Sequence, residues 1–377
     1  MLSDVLHRHL HRIESLVRNR AAPDRAADLD DEIADALKQS GFFKVWVPQR
    51  YGGAELDLPQ TLHLYEAAAV IDGAIGWAVM IGAGGGLFAA YLQPAAAQKL
   101  FAPPDAVVAG SGAPGGRAER IGGGYRASGR WRYASGARYA TIFTANCVVT
   151  ENGQPVLNDE GQPLIRAMSF APADVTIIPA WDTTGMRATG SHDIEVRDVF
   201  VASDDTFSVF TDAAQESGLL YRLPFDVLTQ LPVAAVASGI ARHALDAFGA
   251  LAAKKSLRQG SPLSDSATVR SQYSRSQARW LATHLALHAL ASRTWDMLIS
   301  RGPPTPHEQA EIAAGCALFV EELLQLVENL APLAGMDAAA IDSTFARARR
   351  DLQTLAAHAS VSPLLHERAG LTLLQGR

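Results

Sequence analysis

A chain of 377 residues is too long for one small core, so two or three domains are expected, and a hydrophobic content of 48% is ample for packed interiors. The formal net charge of −6 argues against nucleic-acid binding, while leaving room for an anionic ligand held by a local arginine cluster. Two cysteines, Cys147 and Cys316, exclude a disulfide framework and read as buried thiols. With no apolar signal core near Asp4 and Arg8, and no uninterrupted apolar run of bilayer length, the expectation is a cytoplasmic protein without a membrane anchor.

Residues 1–105 read as a helical domain. Leu29, Ile33 and Leu37 recur at i, i+4 and i+8 behind Asp28, Asp30 and Asp31, whose charge favours a helix N-terminus, and Gly41 ends the helix. Residues 42–48 read as an extended bend closed by Tyr51-Gly52-Gly53. Pro59 starts a second helix through Ile71, and Pro94 starts another. Between them, apolar residues 76–91 include Gly82, Gly84, Gly85 and Gly86. Glycines weaken a helix, so the cluster implies either tight helix packing or close approach of a ligand to the backbone.

Residues 106–205 change to short β segments separated by turn residues, a sheet or barrel of six to eight strands. Gly122-Gly123-Gly124 makes a hairpin leading into Trp131-Arg132-Tyr133-Ala134-Ser135-Gly136. As a regular strand, that stretch places Trp131, Tyr133 and Ser135 on one face, and Gly136 lets a ligand approach the backbone. Residues 139–150, 167–178 and 192–201 read as further strands.

Residues 206–377 return to helix, with long segments at 233–255, 266–299, 305–330 and 345–359 forming a four-helix bundle, and Ser362-Pro363 capping a short fifth helix. His284 and His288, at i and i+4, have a spacing found in metal sites. No third ligand stands out and the neighbours are Leu and Ala, so both are read as packing residues and no metal is assigned. The fold class is therefore mainly α with a central β domain.

That order, with four short motifs inside it, resembles the acyl-CoA dehydrogenase superfamily of flavoproteins. Val47-Pro48-Gln49-Arg50-Tyr51-Gly52-Gly53 is similar to its N-terminal motif, and Trp131–Gly136 sits where members lay a strand against the flavin. The segment 181–193, with Gly185-Met186-Arg187-Ala188-Thr189-Gly190-Ser191, resembles the family's Gly-Met-Arg-x-Thr-x-Ser. Arg350-Asp351 matches a pair in the last bundle helix. By this resemblance Trp131 and Tyr133 wall a flavin ring, Ser135, Gly136, Thr189 and Ser191 line its polar rim, and His192 faces solvent or flavin.

Departures from the family pattern select a branch. Ala359 stands where many dehydrogenases carry the glutamate that removes the α proton, with His358 beside it, and residues 228–232 offer no carboxylate either. The adenylate-binding motifs are degraded at 256–260 and 331–335, which leaves FMN and FAD equally open. His358, Ser135-Gly136 and the 181–193 segment resemble the two-component flavin monooxygenases, among them aromatic and indole hydroxylases and dibenzothiophene monooxygenases. This implies an oxygenase component that takes reduced flavin (FADH2 or FMNH2) from a separate NAD(P)H flavin reductase. With O2 it oxygenates a small aromatic or heteroaromatic substrate through a C4a-hydroperoxyflavin. His358 is the implied acid/base, Ser135 a hydrogen-bond partner of flavin N5 or the peroxide, and Trp77 and the glycine-rich segment from Gly82 to Gly86 line the substrate pocket. The resemblance also implies a homotetramer. The competing readings are an acyl-CoA dehydrogenase or related flavin oxidase, and a catalytically silent flavin-fold scaffold.

Overall fold

In the computed structural model, residues 4–18, 27–256 and 260–375 are described, so the degraded motif at 256–260 lies in part outside the described residues. The chain opens with α1 (Asp4–Arg18), α2 (Asp31–Gln39), α3 (Leu58–Ile71), α4 (Gly73–Gly86) and α5 (Pro94–Phe101). The Asp30 carboxylate accepts from Glu32 N at 2.9 Å to cap α2, and Gly41 ends it with a φ of 73°. The bend that follows is not extended. Gly41 and Pro48 each accept a 2.9 Å backbone bond three residues on, from Lys44 N and Tyr51 N, so 42–44 and 49–51 close into 3-10 turns.

Helix α4 is the spine of the first domain. Residues 73–90 match a membrane span in length and apolarity, yet most are buried inside the protein, as befits a core helix. Its glycines are explained mainly by packing. A Cβ on Gly76 would come within 2.4 Å of the Ala69 Cβ, one on Gly82 within 2.4 Å of the Phe43 ring, and one on Gly85 within 2.4 Å of the Val108 Cβ. Gly84 differs, because a Cβ there would meet nothing within 4 Å.

The β domain holds β1 (Val108–Ile121), β2 (Gly124–Ala134), β3 (Ile142–Glu151), β4 (Gln154–Pro155), β5 (Ile165–Phe170), β6 (Thr176–Ile178), β7 (His192–Ala202) and β8 (Thr206–Phe207). They form one sheet ordered β6-β7-β2-β1-β3-β5-β8, with β4 on β3; β1 and β3 are parallel and the remaining pairs antiparallel. Residues 167–178, expected as one strand, are two. A 3-10 turn at Pro172–Asp174 breaks them, sending β5 to β3 and β6 to β7.

The bundle follows as α6 (Val227–Lys254), α7 (Ala267–Arg301), α8 (Pro306–Glu328), α9 (Ala331–Ala334), α10 (Thr344–Ala356) and α11 (Leu364–Gln375). Helix α10 stops at Ala356, short of the expected Ala359, because His358 leaves the helical region with ψ 137° and caps a 3-10 turn at 359–361. The core of the helical domain and that of the bundle are continuous, whereas the β domain has its own core around Trp131, Phe143 and Phe170.

Candidate active site

The stretch 131–136 does not keep strand alternation. Tyr133 adopts a φ of 68°, so Trp131 and Tyr133 leave the backbone toward different surroundings. Trp131 is 1% exposed, packs on Phe170 in the β core, and donates from Nε1 to Asn146 O at 2.7 Å. It supports the sheet and offers no wall to a ligand. Tyr133 is 54% exposed, meets Trp181 edge-on with centroids 6.0 Å apart, and carries the Arg132 guanidinium 4.6 Å from its ring centroid. Arg130, Arg132, Tyr133, Ala180, Ser191 and Asp193 line an open cleft here. Arg130 is engaged with Asp193 at 2.8 Å.

Behind that cleft runs a chain of hydrogen bonds with a fixed direction. Trp77 Nε1 donates to Ser135 Oγ at 3.0 Å, Ser135 and Ser191 share a 2.7 Å bond, and so do Ser191 and Thr189. Thr189 Oγ1 gives its hydrogen to the Met186 carbonyl at 2.8 Å. A hydroxyl has one hydrogen, so Ser191 must donate to Thr189 and Ser135 to Ser191. Ser135 therefore retains lone-pair capacity and no hydrogen to give.

Two tertiary contacts assemble this row. Gly136, at φ 75°, donates from its backbone to Thr189 O at 2.9 Å, which ties the end of β2 to the loop before β7. Asp351 of α10, 4% exposed, accepts from Met186 N at 2.5 Å and so fastens the same loop to the bundle. The approach is so close that a Cβ on Gly185 would lie 2.1 Å from Arg350 O. The Arg-Asp pair and the Gly-Met motif, far apart in sequence, thus share one junction.

Trp77 also reaches the other way. Its ring meets His358 edge-on, with centroids 5.3 Å apart. His358 accepts from Ser360 N at its Nδ1, 3.2 Å away, so in the neutral ring Nε2 carries the hydrogen. Burial lowers the His358 pKa from its ordinary 6.5. The imidazole lines a cavity of about 240 Å³ whose walls include Met80, Phe88, Val108, Phe207 and Leu228. Trp77 and Gly82, expected on this wall, do not line it: Trp77 stands behind His358, and Gly82 faces Phe43. Gly84 and Gly85, from the glycine-rich segment expected there, do line it. Among the described lining residues there is no carboxylate.

His284 and His288 have a partner that sequence reading missed. Glu66 of α3 takes His284 Nδ1 at 2.9 Å and Ser238 Oγ at 2.5 Å on one oxygen, and His288 Nε2 at 2.8 Å on the other. Burial pushes the Glu66 carboxyl up, but those hydrogen bonds outweigh it and bring the pKa down to about 2. His63, Glu66 and His288 also bring possible ligand atoms together. However, the His63 and His288 rings are stacked 4.1 Å apart and 11° from parallel, so their in-plane lone pairs cannot converge on one ion. The cluster joins helices. His192 is likewise structural: 4% exposed, it accepts from Trp181 N at 3.2 Å and lies 3.3 Å from Asp28.

Helical domain, central sheet, bundle and the Asp351–Met186 junction together define a flavoprotein fold, and the chain belongs to the acyl-CoA dehydrogenase family. Residues 10–101 match the acyl-CoA dehydrogenase N-terminal domain and residues 231–363 the acyl-CoA dehydrogenase C-terminal domain. An indole-3-acetate monooxygenase of Acinetobacter baumannii is 28% identical over 94% of this chain and 90% of its own length. The flavin-dependent monooxygenase oxygenase subunit HsaA of Mycobacterium tuberculosis is 29% identical over 63% of this chain and 59% of its own. In fold, the chain superposes on XiaF from Streptomyces sp., a structure in complex with FADH2 and glycerol, with a TM-score of 0.89, 24% identity, and 98% and 95% coverage of the two chains.

Proposed function

We propose that this chain is the oxygenase component of a two-component flavin-dependent monooxygenase acting on a small aromatic or heteroaromatic substrate. The observation that carries the reading is Trp77, which contacts the hydroxyl row beside an open cleft on one side and His358 of an apolar cavity on the other. The relatives' names support the same class of reaction.

The residues fit a reduced flavin. The exposed Tyr133 ring and Trp181 offer aromatic surface for a flat heterocycle, Arg132 offers charge for a phosphate, and Ser191 lines the cleft between them. Ser135, its hydrogen committed to Ser191, suits an N–H donor such as the N5–H that only the reduced ring carries. FMN and FAD share the ring, the ribityl chain and the first phosphate, so this cleft serves either. When bound, the flavin supplies the two electrons that let O2 place one oxygen atom on the substrate and leave the other as water.

The rest falls to the chain's own side chains. The cavity, walled by Phe88, Phe207 and Leu228, excludes water from the substrate. His358, neutral with hydrogen on Nε2, acts as the proton donor and acceptor at the cavity wall. Desaturation of an acyl thioester needs a base for the α proton, and the described cavity residues supply no carboxylate for it.

A separate NAD(P)H flavin reductase follows from the need for flavin already reduced, and the "oxygenase subunit" name of the mycobacterial relative supports it. Exposed Leu281 and Leu285 on α7 and Leu318 on α8 support assembly of the bundles into a homotetramer. Burial raises the pKa of both thiols, Cys147 to about 12, so both stay protonated and unreactive. The test is anaerobic titration with FADH2 and FMNH2, followed by O2 and an aromatic panel. The reading requires tight binding of reduced flavin and a hydroxylated or otherwise oxygenated product. Desaturation of an acyl-CoA would overturn it.

A further inference from the structure

The cavity beside His358 has a property that its aromatic walls alone do not require. None of its described lining residues is Lys, Arg, Asp or Glu, and its polar groups are Ser111, Thr144, Asn146, Ser208, Thr229 and the neutral His358, apart from the Trp46 indole. The nearest guanidinium in sequence is Arg166, between the lining residues Ile165 and Ala167. Strand alternation turns it to the other face of β5, where it pairs with Asp212 at 3.0 Å and 3.2 Å.

The only long helix that begins at the cavity does not compensate among the described residues. Leu228 and Thr229 of α6 line the wall, but the amides of Val227 and Leu228 are bonded to Pro224 O, and those of Thr229 and Gln230 to Asp226 O. The N-terminus is thus already satisfied, and Asp226 brings a negative charge to it. A carboxylate entering here would lose its water and find neither a cation nor a free row of amides.

We propose that the substrate of this chain is an uncharged aromatic heterocycle or phenol, and that the cavity rejects ring substrates bearing a carboxylate. This rests on the monooxygenase reading and separates the chain from its relative named for indole-3-acetate, whose substrate is an anion near neutral pH. Polar substituents of the accepted ring are met by hydroxyls and by His358, groups that hydrogen-bond without demanding charge.

The experiment compares indole-3-acetate with indole-3-acetamide, which has nearly the same shape and no charge, with indole as a smaller neutral reference. Affinity is measured by calorimetry on the full chain with and without FADH2, and oxygenation is measured separately. The amide should exceed the acetate on the order of a hundredfold in affinity and in kcat/KM. Thr229→Arg, which places a cation at the wall, should narrow or reverse that ratio. Equal or stronger binding of the acetate by the unmodified chain would overturn the proposal. A neutral preference in binding with no oxygenation of any ring would support it while removing the monooxygenase reading.

Discussion

The indole N–H of Trp77 donates to Ser135 Oγ at 3.0 Å, while the same ring stands edge-on to His358 with centroids 5.3 Å apart. One buried side chain therefore links the hydroxyl row behind the open cleft to the imidazole that lines the apolar cavity. Trp77→Phe keeps an aromatic ring beside His358 and removes the donor. It should lower stability by about 1 kcal/mol, measured in urea, because a buried hydrogen bond of this kind has that net worth.

The direction of the hydroxyl chain makes a second prediction. With Ser135 donating to Ser191, the site favours a ligand N–H, so FADH2 should bind more tightly than FAD. Ser191→Ala frees the Ser135 hydrogen and should narrow that difference by about tenfold, the equivalent of one hydrogen bond. Anaerobic and aerobic titrations of the same protein measure it. An unchanged ratio would dissociate the hydroxyl row from redox-state preference.

His358 should act as a neutral imidazole across the neutral range. Burial lowers its pKa from 6.5, so protonation sets in only below that value, and oxygenation should hold steady as pH falls to 6.5 before declining in more acidic buffer. His358→Asn should retain reduced-flavin binding and lose most product formation. The pH–rate profile and a product assay read the two effects separately.

Glu66 should stabilise the protein most between pH 4.5 and 6.5. Its carboxyl is held down to about 2 against an ordinary 4.5, so its contribution is full above 4.5 and disappears as pH falls toward 2. The His284 pKa is raised from 6.5, chiefly by its hydrogen bond to Glu66, so that contribution is full below 6.5 and is lost as pH rises through the raised value. Glu66→Gln should cost about 3 kcal/mol inside that window, as loss of one partner of a buried charged cluster does. Denaturant midpoints at several pH values test the shape of the curve.

Gly185→Ala should disturb the site from a distance. The added methyl carbon would lie 2.1 Å from Arg350 O, so the loop carrying Thr189 and Ser191 must move off α10. A loss of about 2 kcal/mol in stability is expected, together with weaker flavin binding. Asp351→Asn, which weakens the 2.5 Å bond to Met186 N without crowding, should give the milder version of the same phenotype.

How much was legible beforehand differs by element. The three-part order of helix, sheet and bundle, the acidic start and Gly41 stop of α2, and the place of His358 next to Ala359 are visible in periodicity, turn residues and motifs. Ser135, Ser191 and Thr189 were named from the motifs that carry them, and the fold brings them within hydrogen-bond distance. The place of Trp131 in the β core was not legible, whereas Tyr133 does present an exposed ring. A single φ of 68° at Tyr133 cancels the period of two, and no local pattern announces it. Gly82 and Gly84 look alike in sequence as well, and only their neighbours, the Phe43 ring for one and open space for the other, tell packing from cavity wall.

Local sequence by itself determined what depends on near neighbours: helix periodicity, caps, breaks, and the absence of a carboxylate at position 359. Tertiary structure alone decided what depends on distant ones. Glu66 lies far along the chain from His284 and His288, Trp77 from Ser135, and Asp351 from Met186, yet each pair meets through hydrogen bonds that no spacing rule encodes. The physical reason is that helix and strand periods record which face of an element is apolar, whereas a site requires particular faces of several elements to meet.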